Sequence, residues 1–220
     1  EDADLSGADL RDAPLDGALL DGATLDGALL DGATFTGASL AGASLSRCDL
    51  SASALGDTDF SGADLTAASL SERDLSGVVL TDAVLSGADV ERATFTGATL
   101  RGAHLDSVAA RDATFTEADL TGADCESGTF AGATLADATF TDARLDEIHA
   151  DEASLVGTDL SGVDLHGSSL VRVDARDARL DGALLYGVDF TEATLSTATL
   201  DDTELGSATL RDADMSEASL

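Results

Sequence analysis

Every fifth residue of this chain is a central apolar position, and the register never slips. These positions run from Leu5 to Leu220, 44 in all, and 31 are Leu and seven are Phe. The exceptions are Val90, Ala110, Cys125, Ala150, Ala175 and Met215. Two residues before the central position, 30 of 44 residues are Ala, and 19 of the 22 Gly lie two residues after it. A period of five fits neither the 3.6 of a helix nor the plain alternation of a strand. It fits a short extended step followed by a bend. Within the step, the central residue and the preceding Ala point inward and flank one outward residue. Gly then supplies the positive φ that a bend requires. Nothing inserts a loop, linker or boundary, so residues 1–220 read as a single repeat solenoid. The chain starts at Glu1, already in register, which leaves room for its being a segment of something longer.

The inward assignment has independent support from volume. Where the central residue shrinks to Ala, its partner two before it grows: Val108 with Ala110, Ile148 with Ala150, Val173 with Ala175. Gly128 before Phe130 is the reverse trade. Close-packed interiors demand such local conservation of volume, and a disordered tract does not.

The units ADLSG (3–7), ATFTG (33–37 and 93–97), TDLSG (158–162) and ADLTG (118–122) resemble the pentapeptide repeat family, and the resemblance covers the whole chain. It implies an all-β fold, a right-handed quadrilateral (square) β-helix with four units per coil, hence about 11 coils. Some members of that family mimic DNA, bind DNA gyrase and protect it from quinolone-type inhibitors. Gyrase-binding relatives often dimerise through a C-terminal helix, and some carry a projecting loop. Neither is visible here, for the chain ends ADMSEASL in full register.

The charge is the other strong signal. Against 43 acids stand 11 bases, a formal charge of −32. That excludes direct binding to nucleic acid or to an anionic membrane, and it suits a protein partner with a basic groove. No apolar run is long enough for a membrane helix. Lys, Asn and Gln are absent and Ile and Tyr occur once each, a bias of high-GC or halophilic sources. Assigned to four faces, the units carry −8, −8, −7 and −7, with Glu1 and Asp2 in addition, so no face is singled out. The reading is a non-enzymatic acidic rod, a structural scaffold or interaction module, with gyrase protection by DNA mimicry as the alternative. Both ends lack a polar cap, so end-to-end stacking or flanking domains are expected to continue the core. Nothing names a compartment, although a cytoplasmic one is slightly preferred.

No catalytic or cofactor-binding residue is expected. His104, His149 and His166 lie outward and too far apart for a metal site. One column stands out, Asp106, Glu126 and Asp146, three carboxylates stacked at the coil spacing of about 5 Å. A hard cation could bridge them, although Arg144, in the column beside, can screen them instead. Asp16, Asp21, Asp26 and Asp31 circle one coil but face different ways. Cys48 and Cys125 are inward, nearly four coils apart, and too distant for a disulfide. Arg73, at a position normally Ala, must be paired or swing outward, with Asp74 or Glu72 at hand or a local bulge to release it. Leu19, Leu29, Val79, Val84, Val156, Val171, Leu184 and Tyr186 are expected to be exposed and scattered.

Overall fold

A computed structural model describes residues 2–220, so the reading of Glu1 lies outside the described residues. The chain is a stack of short β-steps, one per pentapeptide, with a two-residue turn between steps. No helix occurs among the described residues, and so none is long and apolar enough to cross a membrane.

The outward residue of a step forms a parallel bridge with the residue twenty positions on, from Asp4 with Thr24 to Thr199 with Ser219, except between Leu29 and Asp49 and between Ala54 and Asp74. The chain therefore returns to the same face every twenty residues. Three hydrogen bonds recur. A central N–H donates to the carbonyl 19 residues ahead, as Leu5 to Thr24 at 2.7 Å. An outward N–H donates to the carbonyl 21 residues behind, as Thr24 to Ala3 at 2.8 Å. The N–H of the next inward residue closes the turn, as Ala8 to Leu5 at 2.9 Å. Most buried backbone groups are thereby satisfied without long strands or helices, with gaps at residues such as Leu30, Leu55 and Phe140.

The bend carries the positive φ that the Gly pattern predicts. All 19 Gly in the second position after a central residue adopt it. So do 24 non-Gly residues in the same position, among them Ala67 at 54° and Thr197 at 63°. The geometry of the return imposes this conformation whichever residue stands there, at a cost of roughly 1–2 kcal/mol for most side chains.

The core is one continuous cluster from Ala23 to Leu200, built of the central and preceding inward residues. Leu65, Phe95 and Leu120 lie in it, fully buried. The first and last twenty residues cover only one side of their layer, so Leu5, Leu20, Leu205 and Met215 are partly buried. Leu220 is 72% exposed although it holds a central position. Inward polar residues find acceptors within the stack: Ser53, Thr58 and Thr158 each donate to the carbonyl of a central residue 23 positions earlier, at 2.8–2.9 Å. Cys48 and Cys125 are buried and free, and burial pushes both thiols up.

The compensating volumes are real contacts. A Cβ placed on Gly128 would lie 2.7 Å from the ring of Phe130 and 3.0 Å from the Cys125 carbonyl. Gly128→Ala is thus expected to cost about 1–3 kcal/mol by overpacking. Adding Phe130→Leu should return part of that loss. Chemical denaturation of both variants checks this, and a harmless single substitution would show the trade to be accidental.

Candidate functional site

The surface is dominated by carboxylates, and the local sequence explains how they are held. Where an outward Asp is followed two residues later by Ser or Thr, the carboxylate folds back over the bend. It accepts the backbone N–H and the hydroxyl of that residue. Asp59 takes the Ser61 N–H at 2.9 Å and its Oγ at 2.6 Å. Asp119 does the same with Thr121, and Asp189 with Thr191. This Asx turn is available because a short side chain reaches its own backbone two residues on. A second set, Asp directly after the central residue, reaches the neighbouring coil. Asp16 accepts Thr34 Oγ1 at 2.8 Å and the Thr36 N–H at 2.9 Å. Asp26 accepts Ser44 Oγ and the Ser46 N–H. Asp16, Asp21 and Asp26 of the expected Asp ring are thus tied each to its own partner above.

Bonds of the Asx-turn kind lower the pKa of Asp4, Asp74 and Asp189. At Asp4, Asp74 and Asp189 the Ser or Thr hydroxyl is the main cause and the backbone N–H the second. At Asp9 the Arg11 guanidinium, bonded at 2.8 and 2.7 Å, brings the carboxyl down to about 2. At Asp119 partial burial pushes upward, but the Thr121 bonds and Arg101 outweigh it. Asp4, Asp9, Asp74, Asp119 and Asp189 are therefore held in place and stay ionised to lower pH.

In the column Asp106, Glu126 and Asp146, Arg144 is the cation. Its guanidinium lies 2.7 Å from Glu126, 2.9 Å from Asp146 and 3.5 Å from Asp124. Asp146 is only 5% exposed, and its Oδ1 meets Arg144 Nε out of line for a hydrogen bond. Asp106 turns away to the Ser86 hydroxyl at 2.5 Å. Among the described residues no group of three or more His, Cys, Asp or Glu is placed to hold a metal ion. His104, His149 and His166 are all exposed, and His166 Nδ1 pairs with Asp164 at 3.1 Å.

Arg73 departs from the pairings that its sequence neighbours suggest. Glu72 pairs with Arg92, and Asp74 turns to Ser76. The Arg73 guanidinium instead reaches two backbone carbonyls, Ser53 at 3.4 Å and Ser71 at 3.5 Å. Of the apolar residues expected on the surface, Leu19, Leu29, Val79, Leu184 and Tyr186 are exposed, whereas Val84, Val156 and Val171 are half-buried. Tyr186 lays its ring over Gly206, whose missing Cβ would stand 2.9 Å from it.

No sequence reasoning identified the Asx turns, although their signal, Asp-x-Ser or Asp-x-Thr across the central residue, recurs throughout. The resulting site is a surface rather than a pocket. The interior near Phe140, Ile148 and Leu160 contains an apolar void of about 10 Å³, too small and too apolar to hold even one water.

A family model described as "Pentapeptide repeats" matches overlapping segments that run from residue 1 to residue 220. A comparison with curated proteins finds no match. Among solved structures the chain is similar to HetL, a pentapeptide repeat protein involved in heterocyst differentiation regulation from the cyanobacterium Nostoc sp. The two share 27% identity over 94% of this chain and 90% of HetL, with a TM-score of 0.67. Full-length QnrB1, a plasmid-mediated fluoroquinolone resistance protein, shares 18% identity over 98% of this chain and 91% of its own, with a TM-score of 0.44.

Proposed function

Because the chain belongs to the pentapeptide repeat family, we propose that it is a non-catalytic rod that presents a fixed array of carboxylates to basic protein partners. The observation that carries this reading is the pinning of acids such as Asp59, Asp119 and Asp189 by their own backbone and neighbouring hydroxyls. A charge held in place before binding loses little freedom on binding. The fold behind this reading is the right-handed quadrilateral β-helix of eleven coils, which the twenty-residue spacing of the bridges supports. A filled core leaves largely convex walls, with open surface hollows such as the one lined by Arg111, His149 and Arg172. The similarity to HetL, a protein of regulation, supports an interaction role.

Charge spacing favours a second reading, DNA mimicry toward gyrase. With coils about 4.8 Å apart the rod is roughly 53 Å long. Its net charge of −32 then amounts to roughly 0.6 charges per Å, close to duplex DNA at one per about 1.7 Å. A supercoiling assay with purified gyrase, with and without a fluoroquinolone, separates the two. The interaction-module reading expects supercoiling and drug sensitivity to be unchanged at any accessible protein concentration. Inhibition or drug protection at sub-micromolar protein would replace it with the mimic. In that event Asp119, Asp159 and Asp202 changed together to Lys should weaken the effect more than scattered reversals.

A further inference from the structure

Four neighbouring ladder bonds are absent between residues 138–143 and 159–164. The repeat calls for Phe140 and Asp142 to donate to the Asp159 and Ser161 carbonyls, and for Asp159 and Asp164 to donate to those of Ala138 and Ala143. None of these four N–H groups has an acceptor among the described residues. Idle donors and idle acceptors thus face each other across one slit. The bonds beside it are stretched, for the Leu145 N–H reaches Asp164 at 3.2 Å and the Asp137 N–H reaches Val156 at 3.4 Å. The coils nevertheless stay in register, because Thr139 still bridges to Asp159 and Arg144 to Asp164. The interface is loosened, not broken.

The core is loose at the same level. The apolar void is walled by residues of both coils, Phe140 and Leu145 on one side and Leu160 and Leu165 on the other. Of the apolar core between Leu30 and Leu200, the three least sealed side chains are Ala143, Ile148 and Leu155. Ile148 fills a position that is usually Ala, and its N–H does not close the turn on the Leu145 carbonyl. It goes instead to Ser168 Oγ at 3.1 Å. A void deprives its lining of dispersion contacts. Idle N–H and C=O groups regain water when the coils part. Both effects favour parting here. Ladder gaps also occur between 27–32 and 46–51 and between 52–57 and 71–76. There the central residues Leu30, Leu50 and Leu75 are sealed, and none of them borders the void. A gap in the ladder without a loose core beneath it is not a weak interface.

We propose that the slit between residues 138–143 and 159–164 is the joint of the rod, the interface at which the stack opens and bends first. In a solenoid each coil is held by its neighbours alone, so one weak interface divides it into two cooperative blocks. The blocks before Ala138 and after Leu165 then move as two stiff bodies. Carboxylates carried on two such bodies can change their mutual angle without either block unfolding. The joint is a property of the free chain and needs no partner.

The test is native-state amide hydrogen exchange of the full chain, followed by NMR. Leu145, Glu147 and Ile148 donate across the joint, and Leu105 and Ser107 hold the places of Leu145 and Glu147 two coils earlier. Exchange at Leu145, Glu147 and Ile148 is expected to be about 100-fold faster than at Leu105 and Ser107. Leu50 and Phe60 donate across the interface that carries the gap at 52–57, and they should keep the protection of Leu105. A second arm uses Thr139→Cys with Asp159→Cys, a bridged pair on one lip of the slit. Oxidising this pair should bring Leu145 and Glu147 to the protection of Leu105, and reducing it should restore their fast exchange. Equal protection at Leu145 and Leu105 in the unmodified chain overturns the joint, and so does fast exchange that persists in the oxidised pair.

Discussion

Phe115→Ala is expected to destabilise the protein by about 3–5 kcal/mol, the range for truncating a buried aromatic ring to Ala. Phe115 is fully buried in the middle of the stack. Its ring lies parallel to that of Phe95, with centroids 4.8 Å apart and planes 3° from parallel. On its other side Phe130 tilts against it at 5.8 Å and 60°. The stacking distance is that of neighbouring strands, so the rings repeat at the spacing the backbone sets. Removing the middle ring strips a partner from both others and opens a void between three coils. In a solenoid, stability is held by each coil's contacts with its neighbours, so the loss falls on two interfaces at once. Leu20→Ala, in a half-covered end coil, should cost much less. Denaturant titrations of the two variants compare them directly, and equal costs would contradict a core whose tightest packing is central.

The core was legible because packing leaves no freedom in it. One residue in five had to be large, and where it shrinks to Ala the partner two before it grows, as Val108 does before Ala110. The bend was legible only in its Gly members. Ala67 and Thr197 adopt the same positive φ because the twenty-residue return dictates backbone shape over the preference of any one residue. At the surface, charge could be counted but not positioned. The column of Asp106, Glu126 and Asp146 suggested a shared cation. Which way each carboxylate turns depends on single hydroxyls such as Ser86 and on the reach of Arg144. Arg73 was visible as an anomaly, yet the Ser53 carbonyl that its guanidinium reaches comes beside it only after folding.

The pinned acids and the net charge act against each other, and their balance sets how stability responds to salt and acid. A formal charge of −32 repels itself in the compact state, and salt screens that repulsion. Raising ionic strength from about 10 mM to about 1 M should therefore lift the unfolding midpoint by about 10 °C, roughly 3 kcal/mol for a chain of this size. Acid works in two stages. As pH falls from neutrality toward 4, protonation of surface acids relieves the repulsion and stability rises. Below that the hydrogen-bonded acids decide the outcome. Asp4, Asp74 and Asp189 are held below the ordinary 3.8, chiefly by the hydroxyls of Ser6, Ser76 and Thr191, and Asp9 is brought to about 2 by Arg11. A carboxyl with a depressed folded-state pKa contributes stability above its unfolded value and loses it as pH falls through the folded one. The decline is thus expected between pH about 4 and about 2, giving a maximum near 4 to 5. Thermal melts across pH at fixed ionic strength trace this curve. The maximum should flatten in high salt, where screening already removes the repulsion that acid would relieve. Stability that falls steadily from pH 7, or that drops as salt is added, would show that neither self-repulsion nor the pinned acids govern this rod.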